Sequence, residues 1–556
     1  MTCRPVISGQ KYMIAAGHPL ASMAGTEIFK AGGNAIDAGV AAGIALSVLE
    51  SELVSFAGVA PILLYSAEAD KVVTIPGLGC WPKAVDAEFF NREHSGEMPN
   101  GILRTVVPAA PDAWITALAN YGRMGFADVA QFAIEFALKG FPTYPLLAEL
   151  IEDHAEEFGR FPHNRDIYFP NGKPPAVGSL FKQEALGRTI QYMADEDRTA
   201  AAKGGRKAGL AAARAAFYAG DIAQEIIRFQ QENGGLLREE DLRNFHVGIE
   251  PSVHVPFGDW QVHGCGPWTQ GPMLLQIMSI LDGYDLASLG HNSAEYLHVL
   301  AEAIRLAAAD RDRYYGDPNF VDVPLERLLS REHADALRGQ ISPDRAGWET
   351  QGDSSAQPAP GGHMDTSYVC AVDASGNAFS ATPSDAAYNA PIMPKLGFVA
   401  SPRGTQSWIN SAHPSSVAPG KRPRLTPNPA LAVKDGRFIP FGSPGGDVQT
   451  QAMVQTIVNH LVFGFDVQAA TEAPRLASYS FPSSFHPHKS SPGLLKIEAT
   501  LCGKVGAALR NKGHRVEEWP DYVWLAGSVS LIDFDAEAGR MDAGSDPRRM
   551  GYAIGW

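Results

Sequence analysis

The stretch GGHMDTSYVCAVDASGNAFSATPSD, residues 361–385, decides the fold of this chain. A segment rich in Pro, Gly, Ser and Gln precedes it, from Pro343 to Gly362, and its composition is typical of a loop. Apolar and polar residues then alternate from Thr366, and a turn at residues 374–377 returns the chain as far as Thr382, which predicts a β-hairpin. Thr366 therefore lies where a loop meets a buried strand.

A threonine at such a junction could serve either a sheet or a reaction. If the Asp365–Thr366 bond were cut, Thr366 would carry a hydroxyl nucleophile and an α-amine whose ordinary pKa, about 8, is far closer to neutrality than that of lysine. A threonine with its own terminal amine is a recognised way to activate a weak hydroxyl. Threonines also begin many strands without any catalytic role. The local pattern leaves both interpretations open.

Further motifs follow one another along the whole chain. They are GGNAIDAGVAAGIAL (32–46), YAGDIAQEI (218–226), NGGLLREEDL (233–242), ADRDRYYGDPNFV (309–321), GKRPR (420–424), KDGRFIPFGSPGGD (434–447), EAPR (472–475) and GSDPRR (544–549). With residues 361–385, they resemble the γ-glutamyltranspeptidase family of self-cleaving N-terminal-nucleophile hydrolases. In that family, a threonine before an alternating strand and a DxxGNA turn is the nucleophile.

The resemblance implies an α+β fold, the four-layer αββα sandwich in which two mostly antiparallel sheets lie between helical layers. Residues 1–365 would form the large (α) subunit and residues 366–556 the small (β) subunit, and together they would make one folded unit. Local patterns agree with an α+β mixture. They predict a helix over residues 35–49, a strand over 55–65, a loop over 161–179 and a hairpin around Asp435-Gly436. The charged residues 309–313 predict a solvated helix face.

The catalytic residues are also implied by the resemblance. Thr366 would attack the carbonyl of Asp365 during maturation and the substrate afterwards. Ser384 would hydrogen-bond the Thr366 hydroxyl, and it replaces a threonine of the family with the loss of one methyl group. Gly445 and Gly446 match the oxyanion-hole pair, and backbone N–H groups at the beginning of a helix suit a developing negative charge.

The positions that bind the γ-glutamyl group in the family are changed in this chain. The arginine for the α-carboxylate falls at about Leu78, and the two serines fall at Leu425 and Thr426. The aspartate and asparagine for the α-amine fall at about Gln406 and Ala386. Loss of one buried charge partner costs about 2–5 kcal/mol. Binding of a γ-glutamyl group in the family manner is therefore not expected.

Other polar and aromatic side chains lie in segments that would face the nucleophile. The candidate substrate-binding residues are Arg403, Gln406, Trp408, Arg424, Thr426 and Trp81. Two arginines could fork onto a carboxylate, which favours a small amide that carries a carboxylate. Equally, Arg403 and Arg424 could form structural ion pairs. Hydrolysis, with water as the acceptor, is favoured over transfer.

Two alternatives to this amidohydrolase remain. One is a true γ-glutamyl hydrolase or transpeptidase, acting on glutathione or γ-glutamyl amides through altered contacts. The other belongs to a different class, an uncleaved, non-catalytic scaffold of the same fold. The physiological amide, the choice between hydrolysis and transfer, the completeness of self-cleavage and the pairing of αβ units into a dimer stay open.

Composition narrows the class of protein further. The apolar fraction of 45% and the charged fraction of 19% are those of a soluble globular protein. A formal charge of −15 argues against binding of nucleic acid. The five scattered cysteines favour a reducing compartment. The apolar runs are too short for a signal peptide or a membrane span. We therefore expect a cytoplasmic enzyme with no cofactor, no metal and no membrane partner.

Overall fold

A computed structural model describes residues 2–348 and 365–556 of the chain. The part of the predicted loop that falls on residues 349–362 lies outside these described residues. Within them, no helix is both long enough and apolar enough to cross a lipid bilayer.

Short strands make up two large sheets and two small ones. The strands are β1 (Ile7–Gly9), β2 (Tyr12–Ala16), β3 (Ile62–Ser66), β4 (Lys71–Ile75), β5 (Phe141–Pro142), β6 (Leu180–Phe181), β7 (Glu250–Pro251), β8 (Val253–Phe257), β9 (Trp260–Gly264), β10 (Val369–Asp373), β11 (Ala378–Ala381), β12 (Ala430–Lys434), β13 (Arg437–Gly442), β14 (Leu476–Ser478), β15 (Leu494–Glu498), β16 (Arg515–Trp519), β17 (Ser530–Asp535), β18 (Arg540–Ser545) and β19 (Tyr552–Gly555).

Helices cover both outer faces of the large sheets. They are α1 (Pro19–Lys30), α2 (Ala35–Leu49), α3 (Ala87–His94), α4 (Ala110–Tyr121), α5 (Phe126–Lys139), α6 (Pro145–Asp153), α7 (Ala155–Gly159), α8 (Pro162–Tyr168), α9 (Glu184–Tyr218), α10 (Asp221–Glu232), α11 (Glu239–Arg243), α12 (Gly271–Leu281), α13 (Leu286–Leu289), α14 (Ala294–Tyr314), α15 (Leu325–Leu328), α16 (Arg331–Arg338), α17 (Gln449–Leu461), α18 (Val467–Glu472) and α19 (Ala499–Asn511).

The two large sheets have seven strands each, and all neighbouring strands in them are antiparallel. The first has the order β1-β18-β17-β13-β12-β9-β8, and the second has the order β19-β2-β10-β11-β3-β4-β7. Buried side chains from both sheets, such as Cys370 and Phe534, form the core between them. Two further cores bury the outer sheet faces against α2, α4, α5 and α9 and against α12, α14 and α17. This arrangement confirms the αββα sandwich.

The hairpin predicted from residues 361–385 is confirmed, and its place in the second sheet determines where Thr366 lies. Strands β10 and β11 pair with each other and lie between β2 and β3 in the second sheet. The first strand begins at Val369, three residues later than the alternating pattern indicated. Thr366 consequently lies outside the ladder of strand hydrogen bonds, at the end of the sheet.

Other predicted elements differ in their bounds. Helix α2 begins at Ala35 and ends at Leu49, as predicted. The predicted strand over residues 55–65 begins only at Ile62, because the chain before it turns through Gly58, whose N–H donates to Ser55 O. The predicted loop over 161–179 contains α8, which begins at Pro162, a residue whose fixed φ suits the first turn of a helix.

Candidate active site

Thr366 is completely buried at the end of the second sheet. Its N–H donates to Leu53 O over 3.1 Å, and its C=O accepts from Arg549 Nη1 over 3.1 Å. Its φ of 97° is strained for a β-branched residue, at a cost of about 1–3 kcal/mol. The surrounding structure therefore holds the Asp365–Thr366 junction in a conformation that a free chain would leave.

The Thr366 hydroxyl has two close oxygen partners. Its Oγ1 lies 2.7 Å from Ser384 Oγ, and it donates to Asp365 Oδ1 over 3.0 Å. Ser384 is itself fixed, because its N–H donates to Val59 O over 3.0 Å and its carbonyl packs against Gly58. A Cβ at Gly58 would lie 2.3 Å from that carbonyl oxygen, so this close approach requires glycine. The predicted pair of hydroxyls is brought together.

Arg403 lies beside this pair and is 1% exposed. Its Nη2 donates to Ser384 Oγ and to Asp365 Oδ2, and its Nε lies 2.5 Å from Asp385 Oδ1. Burial opposes the charge of the guanidinium, but Asp365 and Asp385 outweigh it and raise the pKa of Arg403. Burial raises the pKa of Asp385, which also accepts a 2.6 Å hydrogen bond from Ser401 Oγ. Two carboxylates thus share one arginine.

One donor of Arg403 remains available. Within the described residues, its Nη1 is buried and has no hydrogen-bond partner. A buried unpaired donor costs about 1–3 kcal/mol, more for a charged group. The arginine therefore presents an unused N–H group next to the Thr366 and Ser384 hydroxyls.

The two glycines of the predicted oxyanion hole follow β13 and precede α17. Gly445 and Gly446 have φ values of 127° and 55°, which favour glycine over any other residue. Gln449 links them to Thr366, because one corner of its carboxamide lies 3.4 Å from Thr366 Oγ1 and 3.3 Å from Gly446 N. The other corner faces the carbonyl oxygens of Ser443 and Thr426, so we assign it as the NH₂ group.

Gln406 and Thr426 bind each other. The amide of Gln406 donates to Thr426 Oγ1 over 3.0 Å and accepts from Thr426 N–H over 3.3 Å. Gln270 connects Thr426 to the loop of Gly445 and Gly446, because its Nε2 donates to Thr426 O over 3.2 Å and to Gly446 O over 3.1 Å. Gln406 and Thr426 stand at about the positions whose side chains bind the substrate in γ-glutamyl enzymes. Here they are uncharged and hydrogen-bond each other.

Arg424 and Trp408 belong to a separate cluster. Arg424 is fully buried, pairs with Asp312 Oδ1 at 3.0 Å and lies over the Trp408 ring at 4.9 Å. Trp408 is stacked on both faces by His413 and His488, with ring centroids 3.9 Å and 3.6 Å away. The structure thus gives Arg424 an ion pair with Asp312 rather than a contact with Thr366.

The solvated face predicted for the charged run 309–313 is present only in part, because Ala309 and Arg313 are exposed but Arg311 is not. Arg311 is completely buried, and its Nη1 donates to Asp447 Oδ1 over 2.6 Å. Asp447 directly follows Gly446, and its carboxylate also accepts from Ser484 Oγ over 2.6 Å. Arg311 therefore supports the loop of Gly445 and Gly446 through its contact with Asp447.

Trp81 supports the turn that carries Arg403. It is buried, and its indole N–H donates to Ser407 Oγ over 2.9 Å. A Cβ at Gly404 would lie 2.4 Å from its ring. Trp81 consequently packs beneath residues 403–407 and is not placed in contact with Thr366.

Three residues around Thr366 were not predicted from the sequence, namely Asp385, Gln449 and Arg549. Their sequence signals are weak, since a polar residue after SPGG or an arginine after Asp-Pro is common at a surface. Only long-range packing brings Gln449 and Arg549, 83 and 183 positions away from Thr366, against it. Within the described residues, no group of three or more His, Cys, Asp or Glu side chains could hold a metal ion.

The chain is similar to known proteins over nearly its full length. It is 30% identical over 99% of both chains to a glutathione hydrolase-like YwrD proenzyme from Bacillus subtilis. It is 31% identical to the acylase ACY 1 proenzyme of Pseudomonas sp. strain SE83, over 95% of this chain and 91% of the other. It is also 28% identical to an oxamate amidohydrolase proenzyme from Klebsiella pneumoniae, over 98% of each.

The fold comparison agrees with the sequence comparison. The solved structure of a cephalosporin acylase from Bacillus halodurans covers 100% of this chain, and this chain covers 98% of it, with a TM-score of 0.87 and 27% identity. The family model described as Gamma-glutamyltranspeptidase matches residues 21–556. The chain therefore belongs to the gamma-glutamyltranspeptidase family.

Proposed function

We propose that this protein is a self-cleaving amidohydrolase that acts through an acyl-Thr366 intermediate. The observation that carries the proposal is the 2.7 Å contact between Thr366 Oγ1 and Ser384 Oγ, beside a strained Asp365–Thr366 junction. Relatives named as acylase, amidohydrolase and glutathione hydrolase proenzymes support the same chemistry.

Maturation begins with attack of Thr366 Oγ on the carbonyl carbon of Asp365. The hydroxyl proton moves to the amide nitrogen as the C–N bond breaks, which leaves Asp365 esterified to Thr366. Water then hydrolyses the ester and releases chains of 365 and 191 residues. The Thr366 nitrogen, previously an amide held by Leu53 O, becomes a primary amine that can accept a proton.

The same groups serve the substrate reaction. The amine accepts the hydroxyl proton while Oγ attacks the amide carbonyl, and Ser384 Oγ holds the hydroxyl in position. The N–H groups of Gly445 and Gly446 are proposed to stabilise the oxyanion. The proton then passes to the leaving nitrogen, and water releases the acid from the ester.

Arg403 defines the acyl group that fits this site. Its Nη2 binds Ser384 Oγ, which is 2.7 Å from Thr366 Oγ1, so two successive hydrogen bonds, roughly 5–6 Å, separate arginine from nucleophile. In the precursor, the Asp365 carboxylate occupies this arginine. We propose that a substrate carboxylate takes its place after cleavage. The short distance then limits the substrate to the monoamide of a short dicarboxylic acid, such as oxamate.

A γ-glutamyl substrate fits these contacts less well. It places its carboxylate and amine several bonds away from the scissile carbonyl, where Gln406 and Thr426 satisfy each other and carry no charge. Transfer of γ-glutamyl groups is therefore expected to be slow.

Self-cleavage is tested on a denaturing gel. The purified protein is expected to give two bands, of 365 and 191 residues, and Edman sequencing of the smaller band is expected to begin at Thr366. The Thr366→Ala variant is expected to remain one chain without activity. A single full-length band from active wild-type protein would contradict the proposal, and a single full-length band from inactive wild-type protein would favour the scaffold.

Substrate choice is tested with matched small amides. Oxamate and oxamide differ only in whether a carboxylate or a second amide lies next to the scissile carbonyl. We expect kcat/KM to be at least 10²-fold higher for oxamate, because only its carboxylate can pair with Arg403. Faster hydrolysis of a γ-glutamyl anilide than of oxamate would overturn the substrate assignment and leave the self-cleavage intact.

Location and assembly are part of the proposal. The small number of scattered cysteines supports a cytoplasmic location, which cell fractionation tests. Light scattering of the mature protein distinguishes a single αβ unit from a dimer of such units.

A further inference from the structure

A second buried arginine, Arg549, contacts Thr366 itself, whereas Arg403 contacts its neighbours Asp365 and Ser384. Arg549, from the loop between β18 and β19, is 6% exposed and donates through Nη1 to the Thr366 carbonyl over 3.1 Å. Its guanidinium carbon lies 5.2 Å from the centre of the Trp524 ring. Arg549 therefore binds the same residue whose nitrogen becomes the amine after cleavage.

The charge of Arg549 is incompletely matched. Within the described residues, its Nε and Nη2 have no hydrogen-bond partner, and one carboxylate oxygen of Glu50 and one of Glu52 are likewise unpaired. Burial lowers the pKa of Arg549, but an arginine in a protein stays protonated. Burial also raises the pKa of Glu52 to about 8, and its other oxygen accepts from Tyr144 over 2.7 Å. Burial thus favours the neutral form of Glu52, which offsets less of the arginine's charge than an ionised carboxylate would.

Other ionisable groups surround the junction. Those that interact with Thr366's neighbours are Glu50, Glu52, Tyr144, Asp365, Asp385, Tyr388 and Arg403. Glu50, Asp365 and Glu52 each favour the charged form of Arg549. Asp365 also pairs with Arg403, which in turn pairs with Asp385. Glu50 is buried, which raises its pKa, and it also receives a hydrogen bond from Ser367.

A terminal amine works as a base only while it is unprotonated, and an ordinary α-amine is mostly protonated at pH 7. We propose that Arg549 is a positioning residue that keeps the liberated amine of Thr366 unprotonated near neutral pH through its fixed positive charge. This inference rests on the proposed function, because it assumes that cleavage produces the amine.

The distance between the Arg549 guanidinium and the Thr366 nitrogen determines how far the pKa of the amine is expected to shift. A guanidinium that binds the carbonyl of a residue lies roughly 5–6 Å from the nitrogen of that residue. At an effective dielectric constant of about 20, the repulsion between the two charges is about 3 kcal/mol, which corresponds to a decrease of about two pH units in the pKa of the amine.

The test is the pH dependence of kcat/KM for fully processed enzyme, whose acidic limb reports protonation of the free enzyme's base. Arg549→Gln is expected to move this limb upward by about two pH units, because the repulsion that disfavours the protonated amine is removed. Arg549→Lys keeps the charge and is expected to restore most of the wild-type profile. Arg540→Gln, which removes an exposed arginine of the same C-terminal segment, is the control and is expected to leave the limb in place.

A purely structural role would lower the yield or kcat of Arg549→Gln without moving the limb, and that result would overturn the inference. A second measurement uses wild-type protein alone. Carbamylation of the Thr366 amine by cyanate, followed by mass spectrometry across a pH series, is expected to show a midpoint near or below pH 7. A midpoint of 8 or above would overturn the inference. If no amine at Thr366 is formed, the proposed function itself has failed.

Discussion

At the scale of single residues, the site depends on side chains that hold one another in place. The hydroxyls of Thr366 and Ser384 meet at 2.7 Å, and Arg403 donates to the Ser384 hydroxyl oxygen. Ser384 is therefore held by a charged donor, and its hydroxyl can still form a hydrogen bond with Thr366. A serine suffices where the family has threonine, because the contact needs only the hydroxyl.

Substitutions at Ser384 test this pairing. Ser384→Ala removes the oxygen that holds the Thr366 hydroxyl and is expected to lower kcat by roughly 10²-fold and to slow self-cleavage. Ser384→Thr keeps the hydroxyl and is expected to retain most of the activity. Both are measured on processed protein by steady-state kinetics. Equal losses in the two variants would show that shape, not the hydrogen bond, matters at this position.

At the scale of elements, helix α1 shows how burial affects a cap. His18 is 5% exposed and accepts from Leu20 N–H through Nδ1 over 3.1 Å at the N-terminus of α1. Burial lowers the pKa of this histidine to about 4, from 6.5 when it is exposed. The folded state thus requires a neutral ring. Stability is complete above the unfolded pKa and declines as the pH falls towards 4.

The substitution His18→Asn keeps a side-chain acceptor at the cap and removes the titration. We expect wild type to lose about 2 kcal/mol relative to this variant between pH 7.5 and pH 5. Urea unfolding at both pH values measures the difference. A difference between the two proteins that does not change with pH would show that His18 does not titrate in this way.

Local sequence patterns predicted helices and hairpins correctly where a clear periodicity or a strong turn motif was present. The glycine-rich, alanine-rich helix over residues 35–49 and the hairpins around Ser375 and Asp435 were predicted, because periodicity and turn residues are local signals. The roles of Thr366 and Ser384 came from a resemblance, and the structure brings their side chains together. Arg311 and Arg549 could not be placed, since alternating charge or a terminal arginine indicates a surface unless tertiary contacts are known.

At the scale of the whole molecule, the two prospective chains share one architecture. Strands β10 and β11 come after residue 365 but lie between β2 and β3, which come before it. Strands β12 and β9 make a similar pairing in the first sheet. Separation of the chains would break both sheets and expose the core between them.

We therefore expect cleavage to leave the molecule intact under native conditions. Size-exclusion chromatography of cleaved wild type and of uncleaved Thr366→Ala should give the same elution volume, while a denaturing gel shows two bands for the first and one for the second. Elution of the 191-residue chain by itself would contradict the shared-sheet arrangement.

The carboxylate of Asp365 rests on Arg403 in the uncut chain. In the proposed mechanism, the Asp365 carboxylate therefore blocks the arginine that the substrate carboxylate needs, and after cleavage it belongs to a new chain end that must leave before the first turnover. Activity then appears only after two successive steps, cleavage of the peptide bond and dissociation of the new carboxyl terminus from Arg403. High concentrations of a small dicarboxylate during maturation would shorten the second delay and leave the first unchanged.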